Sequence, residues 1–95
     1  MVLKVCIIIP MYNEEAIAKA SIETILPYLD TLSYPTTLLI VNDGSKDKTA
    51  QIVQAIVAKV ADEARLTMVS HERNRGYGAG LRTGMRYAID RGYDF

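Results

Sequence analysis

Cysteine is almost absent from this sequence, which limits the chemistry that it can carry. Cys6 is the only cysteine among 95 residues, so an internal disulfide is impossible and a cysteine metal site is disfavoured. It lies inside the apolar run 5–9, where a thiol behaves as a small hydrophobic side chain. We interpret Cys6 as a core residue rather than a nucleophile. The lack of disulfides indicates a reducing, cytoplasmic compartment.

Excess charge and long apolar runs are also missing. The 11 basic and 11 acidic residues give a formal net charge of zero, so no overall field attracts nucleic acid or an anionic membrane. No apolar run approaches the roughly 20 residues that a membrane span needs. The apolar N-terminus, 1–5, is interrupted at Lys4, and the run that follows ends at Pro10, which argues against a signal peptide. We expect a partner that is recognised locally, and no nucleic acid.

Two common nucleotide-binding motifs are absent as well. The glycine-rich stretch 74–84 does not match G-x-G-x-x-G, because Leu81 and Thr83 stand where the third glycine should be. It also follows the third predicted strand rather than the first. No G-x-x-x-x-G-K-[ST] loop occurs in the sequence. NAD-dependent dehydrogenases and P-loop NTPases are therefore poor candidates.

Short apolar runs alternate with helical patterns along the chain. We predict strands at 5–9, 37–41 and 66–70, because unbroken apolar runs of this length are typical of strands buried on both faces. Pro10 should end the hydrogen bonding of the first strand, and the third, which alternates more, should lie nearer an edge. Alternating strands and helices indicate parallel βαβ units with right-handed crossovers. The predicted fold class is α/β, three-layer α/β/α with a mostly parallel sheet.

Capping residues and apolar spacing define the three predicted helices. Asn13 is expected to cap the first helix, and Pro27 to kink or divide it. Asp47 or Ser45 should cap the second helix, and Gly92 should end the third. The expected apolar positions are Ile17, Ser21, Thr24, Ile25, Tyr28, Leu29 and Leu32 in the first helix, Ile52, Val53, Ile56, Val57 and Val60 in the second, and Leu81, Met85, Ala88 and Ile89 in the third.

Polar residues and glycines gather in the turns that follow the three predicted strands. In an open α/β sheet, the carboxyl ends of parallel strands share one edge, and ligands bind just beyond it. We therefore expect Asn42 and Asp43, at the end of the second strand, to stand where a ligand would lie. The turns comprise 10–15, then 42–45 with Asp47 and Thr49, then 74–80.

Together the three turns resemble the opening of the family 2 glycosyltransferases. The resemblance rests on IIPMYNE at 8–14, on VNDGS at 41–45 with Asp47 and Thr49, and on 74–84, which begins with NRG. These motifs occur in the family's order and at its spacing, and they cover essentially the whole chain. The branch that it resembles most transfers sugars to dolichyl or polyprenyl phosphates.

The resemblance implies that 1–95 is the Rossmann-like, nucleotide-binding N-terminal half of a GT-A fold, followed by an acceptor-binding half. The family transfers a sugar from a nucleotide diphosphate to an acceptor, here by inverting displacement, usually with Mg²⁺ or Mn²⁺. The implied donor is a UDP- or GDP-sugar, and a polyprenyl or dolichyl phosphate is a candidate acceptor. Such an enzyme would work in the cytoplasm or at the cytoplasmic face of a membrane.

A nucleotide-binding site in this chain is also implied by the resemblance. By position, Glu14 and the backbone of 10–12 would line the base and ribose pocket. Asp43 would accept a hydrogen bond from a base N–H, with Asn42 beside it, since an ionised carboxylate only accepts. The implied nucleotide-binding residues are Pro10, Met11, Tyr12, Glu14, Asn42, Asp43, Asn74 and Gly76.

Two features depart from the family's pattern. Asn42 stands where the family often has a first aspartate, so a carboxylate pair with Asp43 is not available. The family's D-x-D metal motif follows a strand that 93–95 would begin. We therefore expect this chain to be part of a longer protein, with the metal ligands, catalytic base and acceptor site beyond Phe95. The chain alone should hold no metal and catalyse no transfer.

Simpler roles stay open for several residues. Glu14 could serve only the helix dipole and Asp43 only an Asx turn, although the motifs favour ligand contacts for both. His71 is interpreted as a solvated loop histidine, because no second metal ligand lies near it in the sequence. Further simpler roles are capping for Ser45, Asp47 and Thr49, and solvated charge for Arg73 and Arg75. Arg73, Arg75 or Arg82 could instead neutralise phosphate.

Two other functions also stay open. The chain could be a non-catalytic nucleotide-binding or regulatory α/β module, which an Asp-x-Asp within about ten residues after Phe95 would argue against. It could also form an oligomer through an unfinished sheet edge or through exposed surfaces of the third strand and the last helix.

Overall fold

Three parallel strands alternate with three helices in the computed structural model, which describes residues 3–95. The strands lie in the order β1-β2-β3, so the predicted α/β class and the edge position of β3 are confirmed. Met1 and Val2, part of the N-terminus that we judged not to be a signal peptide, lie outside the described residues. The elements are β1 (Val5–Met11), α1 (Ala18–Leu29), β2 (Thr36–Asn42), α2 (Thr49–Val60), β3 (Leu66–Ser70) and α3 (Tyr77–Asp90).

Helices cover both faces of the sheet, which gives the predicted three layers. The central strand β2 is fully buried from Leu38 to Val41, because its side chains alternate between two covered faces. Cys6 is buried as predicted, and burial raises the pKa of its thiol. The core under α1 and α2 includes Ile22, Leu38, Ile40, Val53 and Leu66, and the core under α3 includes Cys6, Leu39, Val41 and Ala88.

Strand β1 continues through Pro10, so the prediction that proline ends it was wrong. β1 pairs with β2 as far as Met11, which lies opposite Asn42. The N–H of Cys6 points away from β2 and donates to the carbonyl of Phe95 at 2.8 Å. Because successive residues of a parallel strand bond to opposite sides, the nitrogen of Pro10 also faces away from β2. Its missing donor therefore costs no hydrogen bond to β2.

Helix α1 begins later than predicted. It starts at Ala18, and Asn13 does not cap it but adopts a left-handed φ of 52°. The helix runs through Pro27 to Leu29 without being divided. Proline removes only one backbone donor, and it does so in the last turn, where few helical bonds depend on it.

The buried face of α1 also differs from the prediction. Ile17 and Tyr28, which we expected to pack, are 53% and 66% exposed. The predicted stripe contained Ser21 and Thr24, whereas the stripe that packs is wholly apolar and so removes more apolar area from water. The buried residues are Ala18, Ile22, Leu26 and Leu29.

Small residues bring α3 close to β1. Met85 and Ile89, which we predicted for the packed face, are 56% and 73% exposed. A Cβ added at Gly84 would lie 2.4 Å from Cγ2 of Ile8, so the helix can approach this closely only with glycine there. Because the backbones lie this close, the larger side chains of Met85 and Ile89 do not fit between α3 and β1 and lie on the exposed side of the helix. The buried residues of α3 are Ala79, Gly80, Gly84 and Ala88.

After α3 the chain turns back alongside β1. Gly92 ends the helix with a φ of 75°, as predicted. The N–H of Asp94 donates to the carbonyl of Lys4 at 2.7 Å, which places 93–95 beside β1; no strand is formed at 93–95, so the fourth strand stays a prediction. Among the described residues, no helix combines the length and apolar character that crossing a bilayer requires.

Candidate functional site

Three loops meet at the carboxyl edge of the sheet, as predicted for parallel strands. We call 12–17 the first loop, 43–48 the second loop and 71–76 the third loop; they follow β1, β2 and β3. Strand pairing extends into them, because the N–H of Asp43 donates to the carbonyl of Met11 at 2.9 Å. One ligand could therefore contact all three loops.

Four hydrogen bonds fasten the first loop to the second loop and the start of α2. In one of them Lys46 donates its N–H to Oδ1 of Asn13 at 2.9 Å. The other three run from the backbone N–H groups of Asn13, Glu14 and Glu15 to Oγ of Ser45, Oγ1 of Thr49 and Oδ2 of Asp47, at 3.0, 2.8 and 3.2 Å. The side chains that we interpreted as caps therefore hold two loops together.

The N-cap of α2 is Lys48, so the prediction that Asp47 or Ser45 caps this helix was wrong; Asp47 instead bonds to the helix from one residue earlier. Its Oδ1 accepts the N–H of Thr49, the first residue of α2, at 2.9 Å, whereas Ser45 bonds only to the first loop. Desolvation raises the pKa of Asp47, but the hydrogen bonds from Thr49 and Glu15 outweigh it and hold that pKa below its ordinary value. Asp47 is therefore ionised at neutral pH and acts only as an acceptor.

Gly44 allows the second and third loops to touch. Its φ is 66°, a left-handed conformation that glycine adopts without steric cost. A Cβ at this position would lie 2.2 Å from the carbonyl carbon of Arg73 and 2.4 Å from the nitrogen of Asn74. The glycine of the VNDGS motif is thus required by both its own backbone and the neighbouring backbone.

Asp43 anchors the third loop. Its Oδ1 accepts the N–H of Arg75 at 2.8 Å and lies 2.7 Å from Nδ1 of His71, while Oδ2 accepts the N–H of Gly76 at 2.9 Å. The residue is only 3% exposed. The hydrogen bond to a base N–H stays a prediction. The role that these contacts show, positioning the third loop, was not predicted.

The charge of Asp43 is stabilised by the same contacts. Burial raises the pKa of Asp43, but the hydrogen bonds from His71, Arg75 and Gly76, together with the charge of His71, hold it below its ordinary value. Because the ionised carboxylate can only accept, Nδ1 of His71 carries the proton that they share.

His71 is buried, so its interpretation as a solvated loop histidine was wrong. Its side chain is 6% exposed, and its Nε2 lies 2.7 Å from Oγ1 of Thr83 on α3. The earlier interpretation weighed His71 only as a metal ligand. The useful signal was its position directly after β3, at the same edge as Asp43, where a buried carboxylate needs a donor.

Asn42 bridges β2 and β3 beneath the loops. Its Oδ1 accepts the N–H of Ser45 at 3.2 Å, and its Nδ2 donates to Oγ of Ser70 at 3.2 Å. The residue is 4% exposed. The amide therefore uses both its acceptor and its donor within the protein, and Asn42 supports the site from below.

Exposure divides the remaining predicted site residues. Tyr12 is 39% exposed, Glu14 is half-buried and Asn74 is exposed. Met11 is 4% exposed at the end of β1, and Gly76 is half-buried with a φ of 95°. A ligand above this edge would meet Tyr12, Glu14 and Asn74 first.

Metal binding is not supported by the part of the chain that the structure describes. Within 3–95, no group of three or more His, Cys, Asp or Glu side chains could hold a metal ion. Of the carboxylates in the three loops, Asp43 and Asp47 are engaged by backbone and side-chain donors. We therefore assign no chemical step to a metal on these residues.

Comparison with known proteins gives the family. The family model described as glycosyl transferase family 2 matches residues 6–91. The chain belongs to this family. Its α/β layout is that of the Rossmann-like, nucleotide-binding half of the GT-A fold, so the predicted fold is confirmed. Family membership does not favour the interpretation as a regulatory module.

Individual relatives are similar over most of this chain. It is 30% identical over 82 residues to the uncharacterized glycosyltransferase YkcC of Bacillus subtilis, covering 86% of this chain and 24% of the relative. It is 30% identical over 89 residues to a dolichyl-phosphate beta-glucosyltransferase of Trichomonas vaginalis, covering 88% of this chain and 26% of the relative. The chain thus spans about a quarter of the length of these curated relatives.

A solved structure has a similar fold. The mannosyltransferase PcManGT of Pyrobaculum calidifontis, in complex with GDP-Man and Mn²⁺, matches with a TM-score of 0.68 and 28% identity. The match covers 93% of this chain and 25% of that one. Divalent metal and a nucleotide-sugar are thus found together in a protein of similar sequence and fold.

Proposed function

We propose that this chain is the nucleotide-binding half of a glycosyltransferase that transfers a sugar from a nucleotide diphosphate sugar to an acceptor. The observation that carries the proposal is the arrangement at the carboxyl edge of the sheet. Tyr12 and Glu14 are accessible there, above Asn42 and Asp43, which are buried and hydrogen-bonded. Membership of glycosyl transferase family 2 supports the reaction class.

The accessible residues have the chemistry that a nucleoside needs. The Tyr12 ring offers an apolar face on which a base can stack, and the Glu14 carboxylate can accept hydrogen bonds from ribose hydroxyls or a base N–H. Asp43 and His71 hold the third loop, and with it Asn74 and Gly76, before the ligand arrives. A site ordered in advance loses less conformational freedom on binding.

The remaining parts of the reaction lie outside this chain in our proposal. In an inverting displacement, an acceptor oxygen attacks the anomeric carbon, a base takes its proton, and the nucleotide diphosphate leaves with the bonding electrons. We place the catalytic base and the ligands of a Mg²⁺ or Mn²⁺ ion in a longer protein of which this chain is a part. The Mn²⁺ bound by PcManGT supports the choice of metal.

A lipid phosphate is the acceptor that we propose. The name of the Trichomonas vaginalis relative, a dolichyl-phosphate beta-glucosyltransferase, supports this class. Dolichyl and polyprenyl phosphates reside in membranes, so we place the full protein in the cytoplasm, at the membrane face. The donor base is either uracil or guanine, and the GDP-Man of PcManGT favours guanine.

Calorimetric titration of this chain with UDP and with GDP tests the binding half of the proposal. Tyr12→Ala should weaken binding of the preferred nucleotide about tenfold, which corresponds to about 1.4 kcal/mol. Tyr28→Ala is the matched control, because Tyr28 is a 66% exposed tyrosine on α1, away from the carboxyl edge. Equal effects of the two substitutions would contradict the proposed site.

Sugar transfer is tested on the longer protein. UDP-glucose and GDP-mannose are offered with a polyprenyl phosphate acceptor, and product is followed by thin-layer chromatography of the labelled lipid. Transfer from one donor, abolished by chelation of divalent metal, supports the proposal. Nucleotide binding by this chain without any transfer by the longer protein would instead support a binding module.

A further inference from the structure

The arginines of this chain are concentrated in one segment. Five of its six arginines lie within 71–91, whereas that segment holds only two acidic residues and the whole chain has a net charge of zero. No lysine occurs in the segment. Arginine differs from lysine in presenting a planar fork of donors that matches the oxygens of a phosphate group. The five arginines are Arg73, Arg75, Arg82, Arg86 and Arg91.

Three of these arginines line one cleft between the third loop and α3. The cleft has a volume of about 340 Å³ and contains no acidic residue; its lining residues are Arg75, Ala79, Arg82, Thr83 and Arg86. Among the described residues, the ion pairs within 4.0 Å involve Arg65 and His71 only. The three guanidinium groups of the cleft therefore form no ion pair within 4.0 Å, and the carboxylates of Glu72 and Asp90 line adjoining clefts rather than this one.

Two hydrogen-bonded contacts, of the Arg75 backbone and of the Thr83 side chain, hold the walls of this cleft in place. The N–H of Arg75 donates to the buried Asp43, so the backbone on one wall is held in place. On the other wall, the Arg82 guanidinium lies beside Gly78, since a Cβ at that position would be in ordinary van der Waals contact with Nη1 of Arg82, at 3.4 Å. Thr83 closes the floor through its contact with His71.

We propose that this cleft binds a phosphate group, separately from the nucleotide site proposed above. None of its lining residues belongs to the eight predicted nucleotide-binding residues. Unpaired, closely spaced guanidinium groups repel one another, and a dianion between them removes that repulsion while accepting several charge-assisted hydrogen bonds. The volume lies within the range of small-molecule pockets, about 300 to 1,000 Å³.

A neighbouring cleft is a poorer anion site and helps to define this one. It is lined by Ser70, His71, Glu72, Arg73 and Arg75. The Glu72 carboxylate there repels an anion and can pair with either arginine. The ligand should therefore engage Arg82 and Arg86 together with Arg75, and not Arg73.

The phosphate can come from a soluble compound or from a lipid headgroup, and the experiment separates them. In the first arm, the ¹⁵N-labelled chain is titrated with sodium pyrophosphate, with sodium chloride at matched ionic strength as the reference. Backbone amides of Arg75, Ala79 and Thr83 and the Nε–H signals of Arg82 and Arg86 should shift and saturate. The double substitution Arg82→Gln with Arg86→Gln should weaken binding at least tenfold.

Two variants show whether geometry or charge alone is responsible. Arg82→Lys keeps the charge but loses the guanidinium fork, so its affinity should lie between those of the wild type and the double variant. Lys59→Gln on α2 removes one exposed charge on the other face of the sheet and should change nothing. If the double variant does not fold, Arg86→Gln alone, at an exposed position, gives the same comparison.

The second arm uses sedimentation with vesicles of phosphatidylglycerol and of phosphatidylcholine. Sedimentation with the anionic vesicles only, lost in the double variant, assigns the cleft to a lipid headgroup. Saturable pyrophosphate shifts without vesicle binding assign it to a soluble phosphate. Shifts that sodium chloride reproduces, or that Lys59→Gln weakens as much as the double variant, would overturn the proposal. Because nucleotide is also expected to shift the amide of Arg75, the decisive signals here are those of Ala79, Thr83, Arg82 and Arg86; loss of nucleotide binding at 11–14 would leave these unaffected.

Discussion

Nδ1 of His71 lies 2.7 Å from Oδ1 of Asp43, and the two side chains are only 6% and 5% exposed. Through Nε2 the same ring contacts Thr83 on α3. One buried side chain thus connects the end of β2, the third loop and α3. We regard this connection as what holds the third loop ready for a ligand.

His71→Leu should destabilise the chain by about 1 to 3 kcal/mol, because it leaves Asp43 and Thr83 without their partner in a buried site. His71→Asn should cost less, since its amide can still donate towards Asp43. Urea denaturation followed by circular dichroism measures both. An unchanged unfolding midpoint for His71→Leu would show that the buried contact contributes nothing.

Asp43→Asn keeps the shape of the side chain but replaces one carboxylate oxygen with an NH₂ group. That group is a donor and faces the N–H of Arg75 or of Gly76, which is also a donor. We expect a loss of about 3 kcal/mol at pH 7, typical of breaking a buried charged pair. The same urea titrations measure it. Glu15→Gln, at an exposed position, is the control. If Asp43→Asn lowers the free energy of unfolding by less than Glu15→Gln does, the anchoring role is contradicted.

The pH dependence of stability should also depend on Asp43. Its folded pKa is lowered, so between that value and the unfolded pKa of about 3.9 the unfolded chain binds more protons. The stabilisation is present above the unfolded pKa and is lost as the pH falls through the folded pKa. Urea midpoints between pH 7 and pH 2.5 should therefore converge for the wild type and Asp43→Asn in acid. A constant difference would contradict this account.

Gly44→Ala should disturb the third loop. The added Cβ meets the backbone of Arg73 and Asn74 at less than 3 Å, in addition to the cost of about 1 to 2 kcal/mol for a left-handed residue. Gly92→Ala is the matched control, because Gly92 has a similar φ of 75° and no atom within 4 Å of the added Cβ. The prediction fails if both variants lose the same stability in urea.

Gly84→Ala should separate α3 from β1. The added Cβ would lie 2.4 Å from Cγ2 of Ile8, and overpacking of this kind typically costs about 1 to 3 kcal/mol. Ile8→Ala should relieve the clash, so a double-mutant cycle should show favourable coupling. Gly78→Ala, on the exposed side of the same helix, should be neutral or stabilising by up to about 1 kcal/mol. Additive effects at 8 and 84 would contradict the close packing.

The α/β class and the meeting of the three turns at one edge of the sheet followed from the sequence, because both depend on local pattern. The run at 37–41 had to be a doubly buried strand, and the polar residues that follow it had to lie at the carboxyl edge. The buried faces of the helices were harder to predict, because α1 carries two possible buried stripes that are offset by one residue. Only the packed structure shows that the stripe without Ser21 and Thr24 is buried.

The errors at Pro10 and His71 have the same origin. Pro10 is acceptable in β1 because of which side its nitrogen faces, and His71 is buried because Asp43 needs a donor; both facts depend on residues more than 25 positions away in the sequence. For α3, Gly80 and Gly84 are read from the sequence as weak helix formers. In the structure they are the packed face, because the backbone of α3 approaches β1.

The most direct test of the account is chemical-shift mapping of this chain with UDP and with GDP. We predict that one nucleotide shifts the amides of 11–14 and 74–76 in a saturable way, and that Glu14→Gln weakens the effect while Glu15→Gln does not. A folded chain whose shifts fall instead on α1 and α2, or that responds equally to both substitutions, would contradict a nucleotide site at the carboxyl edge.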